Sequence, residues 1–124
     1  MPALKGIRGL GMSDDLQLAT RLAEKFDYTN TFYHQAPFLD LTNPDPADAG
    51  RYDFLICAEI LEHVPAPLEP VFAALYRMLK PDGVLVMSTP FGLAGETREH
   101  FPSLHVYALA TLGSRPVLVN RRIL

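Results

Sequence analysis

The chain has no tryptophan, a single cysteine and no excess of positive charge. Each shortage removes a class of protein. One thiol, Cys57, cannot build an intramolecular disulfide framework, so a reducing cytoplasm is the expected compartment. No Cys/His spacing of the zinc type is present, and no metal is expected. A formal net charge of −3 offers no basic field for phosphates, which argues against nucleic acid as a partner. No apolar run approaches the ~20 residues needed to span a bilayer, so no membrane partner is expected. The opening residues lack the charged-then-apolar pattern of a signal peptide. Glycine numbers 8, with no G-x-G-x-x-G among them, which argues against a nicotinamide-dependent oxidoreductase. No internal repeat and no low-complexity segment occurs.

What is present is 124 residues, 48 % of them hydrophobic, enough for one domain with one core. The most informative stretch is residues 51–90, RYDFLICAEILEHVPAPLEPVFAALYRMLKPDGVLVMSTP. Its YDFLIC run is short, apolar and charged only near its start, the signature of a strand covered on both faces. Cys57 lies in it and reads as a small buried hydrophobe. After AEILEHV, Pro65 and Pro67 reset the backbone. Leu68, Val71, Phe72, Leu75, Met78 and Leu79 then fall on one face of a helix, with Lys80 in its last turn. Pro81-Asp82-Gly83 is turn chemistry, and VLVM at 84–87 reads as a second buried strand. Two buried strands joined by a crossover helix imply a right-handed βαβ unit and a parallel sheet.

Earlier in the chain, residues 3–12 form a strand candidate broken by Gly6, Gly9 and Gly11. Ser13 is the expected N-cap of a helix over 14–26, with Leu16, Ala19, Leu22, Ala23 and Phe26 as its apolar face. TNTFY at 29–33 reads as strand. The stretch 38–42 then leads into a proline-rich loop at 43–50. Beyond Pro90 come a glycine-containing loop, a polar segment with two histidines at 96–105, a short helix at 106–112, a turn at 113–115 and a last strand at 116–120.

The ordered set YD-F-L-I, LEHV, an amphipathic helix ending Leu-Lys-Pro-Asp-Gly, and VLVMSTP resembles the second half of a class I S-adenosylmethionine-dependent methyltransferase. Arg77, Leu79, Lys80, Pro81 and Gly83 match the family's helix-end signature, and Asp82 stands where glycine is usual. The resemblance implies an α/β, Rossmann-like, doubly wound and mostly parallel sheet over residues 1–124. GLGMSD at 9–14 has two registers, a degenerate glycine loop after the first strand or the end of the second strand. Only one helix and one strand region lie between Ser13 and Tyr52, which favours the second register. The domain is then truncated on its N-terminal side, without the central first strand and its glycine-rich loop. Such a sheet needs its strands to re-pair, a second copy to complete it, or a longer chain.

The resemblance also implies S-adenosylmethionine as cofactor and a small-molecule or saccharide-like methyl acceptor. Ligands of open parallel sheets bind beyond the carboxyl ends of the strands, so the candidates follow the strands. Asp14 is the candidate for the cofactor ribose, because Gly11 occupies the family's carboxylate position. Asp40 and Leu41 are candidates beside the adenine. Ala58 and Glu59 are candidates at the methionine end. His63 in the LEHV turn is the candidate general base, four residues after Glu59. Arg98 and His100 are candidate contacts to a polar or anionic substrate. Each has an ordinary structural alternative: capping for Asp14, an Asx turn for Asp40, a loop-fixing role for His63. The absent glycine loop keeps open an inactive methyltransferase-like module that serves in binding or as a scaffold.

Overall fold

The computed structural model describes residues 2–65, 67–93, 95 and 107–120, at 107–110 and 117–120 the backbone alone. In chain order the elements are β1 (Leu4–Met12), α1 (Leu16–Lys25), β2 (Phe26–Thr31), β3 (Tyr52–Ala58), α2 (Glu69–Met78), β4 (Leu79–Ser88), β5 (Tyr107–Leu112) and β6 (Arg115–Asn120), with 3-10 turns at Pro46–Asp48 and Leu61–His63. β2, β1, β3 and β4 form one sheet in that order, and all three pairings are parallel. Parallel pairing puts every carboxyl end on the same edge.

Side-chain alternation along the strands creates two cores. Leu10 and Met12 of β1 and Leu55 and Cys57 of β3 face one side, where they meet Val71, Leu75 and Met78 of α2. Phe54 and Ile56 of β3 and Tyr28 of β2 face the other, against Ala19 and Leu22 of α1. The sheet is thus covered by a helix on each face, the doubly wound α/β arrangement. Cys57 is fully buried.

The two glycines inside β1 shape the second core. A Cβ on Gly9 would stand 2.1 Å from the Phe54 ring, and one on Gly11 would stand 1.8 Å from both the Asp14 carboxylate and the Tyr28 hydroxyl. Aromatic rings from the strands on either side lie across the groove left by the missing side chains. Tyr28 and Phe54 stack there with centroids 5.8 Å apart and planes 11° apart.

β1 and β3 join over three residues only, Gly9 with Phe54, Leu10 with Leu55 and Gly11 with Ile56. Direct pairing of these strands is how the described chain closes its sheet. On the outer strand, Leu85 packs on the α2 core, while Val84 and Val86 are 55 % and 51 % exposed.

Several elements differ from the sequence expectation. α1 is capped by Asp15, whose carboxylate accepts from the backbone amides of Gln17 and Leu18, and not by Ser13. Ser13 takes φ 56 in a turn held by its own amide on the Thr31 carbonyl, so its backbone does not lead into the helix. α1 stops at Lys25, because Phe26 starts β2 and stacks edge-on against Phe54. Lys80 is not in the last turn of α2. The residues 80–83 bulge out between the Tyr52–Leu79 and Phe54–Val84 pairings, and there the Lys80 ammonium reaches both Asp53 oxygens at 2.8 and 2.9 Å. Of the segment expected as a short helix at 106–112, the described residues Tyr107–Leu112 are a strand. It pairs antiparallel with β6 across a two-residue Gly113-Ser114 turn, with Gly113 at φ 65, a conformation that costs glycine nothing. Six residues are also too few for a stable helix without a face to pack on.

Asp53 ties three strands together. Besides Lys80 it accepts from the Arg8 backbone amide at 2.8 Å. The Lys80 ammonium first, and the Arg8 amide second, hold its carboxyl below the usual carboxylate range. A depressed folded pKa means that the contribution is complete above the unfolded value and is lost as pH falls through the folded one. Asp53→Asn is expected to lower stability at pH 7 by about 0.5–1 kcal/mol, since the pair is partly exposed. The gap between wild type and variant should begin to narrow only as pH falls below about 4, measured by urea unfolding at pH 7 and at steps down to about pH 2.5.

Candidate functional site

At the carboxyl edge, β1 leads into Ser13 and Asp14, β3 into Ala58 and Glu59, and β4 into Thr89 and Pro90. The turn after β1 is held by side chains. Asn30 clamps Asp14 through both its amide atoms, with Oδ1 accepting from the Asp14 amide at 2.9 Å and Nδ2 donating to the Asp14 carbonyl at 3.0 Å. Thr31 Oγ1 donates to the Gly11 carbonyl at 2.6 Å. The Asp14 carboxylate folds back over Gly11 and accepts the Tyr28 hydroxyl. Burial raises the Asp14 pKa, with the Tyr28 hydrogen bond working against it. Burial and the same carboxylate push the Tyr28 phenol up.

The end of β3 turns sharply. Glu59 takes φ 55, its amide donates to the Ser88 carbonyl at 3.0 Å, and its carboxylate accepts from Ser88 Oγ at 3.4 Å. Glu59 is exposed and Ala58 half-buried. The next turn, Leu61–His63, anchors through the buried Leu61 and presents His63, whose Nε2 lies 3.9 Å from Glu62 Oε1. Burial raises the Cys57 thiol to about 11, with smaller contributions from the carboxylates of Glu62 and Asp14. Both acids therefore act on the same end of β3.

Asp40 closes an Asx turn. Its Oδ1 accepts from the Thr42 amide at 2.9 Å and from Thr42 Oγ1 at 2.6 Å. Leu41 is buried in the core with Leu10, Met12 and Leu61, so its side chain faces apolar neighbours. Arg98 and His100 lie outside the described residues. Among the described residues no group of three or more His, Cys, Asp or Glu side chains is arranged to hold a metal ion. Two surface concavities, of about 400 and 140 Å³, lie along α1 from Leu16 to Glu24 and between Pro44–Pro46 and α2. Neither is lined by Asp14, Asp40, Glu59 or His63. We place the site at the edge because the chemistry-bearing groups converge there.

A methyltransferase-domain family profile matches residues 11–115. The chain belongs to the class I S-adenosylmethionine-dependent methyltransferase family. Among curated relatives, a ubiquinone biosynthesis O-methyltransferase of Marinobacter nauticus is 36 % identical over 89 residues, covering 70 % of this chain and 37 % of that protein. The ubiquinone biosynthesis O-methyltransferase of Haemophilus ducreyi is 38 % identical over 85 residues, covering 67 % and 35 %. The citrinin polyketide synthase CMeT domain shares the fold, with a TM-score of 0.53 at 19 % identity, covering 65 % of this chain and 28 % of that one. The methyltransferase chain described here thus spans a little over a third of the curated relatives it matches.

Family membership brings the cofactor class with it, and the residues can be tested for fit. The methionine end fits: Ala58 and Glu59 stand at a turned strand end, and an exposed carboxylate suits an ammonium group. The adenosine end does not fit as it stands. The Asp14 carboxylate is taken by Tyr28, the Asp40 oxygen by Thr42, and the N-terminus of α1 by Asp15. Sequence reasoning missed Tyr28, Asn30 and Glu62. A tyrosine two residues before an asparagine on an alternating strand was the available signal for the first two.

Gly11→Ala should force the Asp14 and Tyr28 groups apart and cost about 1–3 kcal/mol by urea unfolding. For Asp14, a raised folded pKa means that stability is full below the unfolded value and lost as pH rises through the folded one. Asp14→Asn removes that loss, so the variant should gain on wild type between pH 4 and pH 7 in thermal melts.

Proposed function

We propose that this methyltransferase domain takes part in methyl transfer from S-adenosylmethionine to a hydroxyl of a small molecule, including saccharide-like acceptors. The observation that supports it most is the shared carboxyl edge of a parallel sheet, where Glu59 and the Glu62-His63 turn follow β3 directly. Relatives named O-methyltransferases support oxygen as the atom methylated. The cofactor, when bound, supplies an electrophilic methyl group on a sulfonium. The chain's own residues have a small set of tasks. Glu59 and Ala58 hold the methionine end, and Glu59 is itself fixed by Ser88. His63, 63 % exposed, is available to a proton from outside the core. It removes the hydroxyl proton as the oxygen attacks, a role that suits an imidazole near neutral pH. A lone buried thiol suits the reducing cytoplasm as its place of work.

A second reading has an observation of its own. With Asp14 and Asp40 satisfied internally, the domain can serve as a binding or scaffold module without turnover. Titration calorimetry with S-adenosylhomocysteine separates the two readings. Methyl transfer predicts saturable binding, weakened about tenfold or more by Glu59→Ala. Absence of binding at millimolar ligand, with the chain folded by circular dichroism, would favour the scaffold.

A further inference from the structure

Glu62 differs from the other acids around this edge. Asp14, Asp15, Asp40 and Glu59 each accept a hydrogen bond from a named donor. The Glu62 side chain is only 17 % exposed, and its Oε2 is buried without a hydrogen-bond partner among the described residues. Its Oε1 lies 3.9 Å from His63 Nε2, within ion-pair range and too long for a hydrogen bond. A buried carboxylate oxygen with no donor is costly, and native folds keep few of them. This one sits in the turn that carries the candidate base. Catalytic contacts are often long before the reacting complex forms.

We propose that Glu62 is the positioning residue of His63: its carboxylate holds the imidazole at the carboxyl edge and pairs with the positive charge the ring acquires on taking a proton. The reading of His63 as base to a methyl acceptor comes from the proposed function, on which this inference rests. The pairing itself can be tested without cofactor or acceptor. The proton passes from the acceptor hydroxyl to the ring, its electron pair stays on oxygen as the nucleophile, and Glu62 remains ionised. The burial that makes the carboxylate costly in the resting protein strengthens its attraction for an imidazolium. Among the described residues, Glu59, Cys57 and Asp14 are titratable groups near this end of β3, and none of them is altered in the variants below.

The test follows the ring protons of His63 by NMR through a pH titration of the 124-residue chain, its Glu62→Gln variant and its Glu62→Met variant. His34, which lies against Tyr33, is the internal control. The His63 midpoint is expected to fall by about half a pH unit or more in both variants while that of His34 stays. The melting temperature should hold in Glu62→Gln and rise in Glu62→Met, which replaces an unpaired oxygen by an apolar group. An unmoved His63 midpoint overturns the proposal. A fall in melting temperature of more than about 3 °C in both variants does so too, because Glu62 would then be structural. Failure of the methyl-transfer reading would show as absent S-adenosylhomocysteine binding and would leave both of these readouts unchanged.

Discussion

The fold depends on a groove one side chain wide along β1. Gly9 and Gly11 point toward the α1 face, and their missing Cβ atoms let Phe54 from β3 and Tyr28 from β2 close over the strand and stack. Helix α1 contributes little buried surface of its own: Ala19 is its one buried residue, and Leu16 is 79 % exposed. The aromatic pair packs between the strand and α1 together with Ile56, Leu22 and Phe26. Glycine in a strand interior is a liability for backbone entropy. Here the loss is offset by ring burial, and a ring brings both large apolar area and a preferred stacking geometry. The same groove carries Asp14 back over Gly11 to Tyr28, so the packing of the core and the state of the carboxyl edge are one problem.

Sequence periodicity shows the βαβ half of the domain well because its signals are local. YDFLIC, the Leu68-to-Leu79 stripe and VLVM lie at the observed β3, α2 and β4. Val71, Leu75 and Met78 are buried as their spacing requires. Phe72 shares the stripe and is 41 % exposed, because a helix covers a sheet with a narrower arc than its apolar residues span. What the sequence hid was long-range. Asp53 and Lys80 meet across 27 residues through a bulge opposite β3, and nothing local marks the partner. The β5–β6 hairpin was legible in principle, since two apolar runs flank a Gly-Ser pair, but the spacing of VYALATL also suits a helix.

The candidate site divides along the same line. Residues placed by strand ends are where the pattern puts them: Glu59 and His63 follow β3, and Asp14 follows β1. Their roles depend on hydrogen bonds that sequence does not reveal. Asp14 is engaged by a tyrosine 14 residues away, Asp40 by a threonine two residues on. An acid in the expected place is thus no guarantee of an acid available to a ligand.

Electrostatics separate the acids of the β3 end from those of the β1 end. Acids already hydrogen-bonded within the fold would lose those bonds on engaging a ligand. Asp14 has traded solvent for a phenol, and Asp40 for an amide and a hydroxyl. Glu59 has only a long contact from Ser88 and faces water, so a ligand cation can replace solvent there at low cost. Glu62 is the opposite case, half-buried with one buried oxygen that has no hydrogen-bond partner among the described residues, so any donor or cation brought beside it is a gain. Four residues of chain, Glu59 to Glu62, thus carry an exposed carboxylate and one with a buried oxygen on successive turns. In the proposed reading His63, next to the second and largely exposed, is where that electrostatic preference reaches the surface.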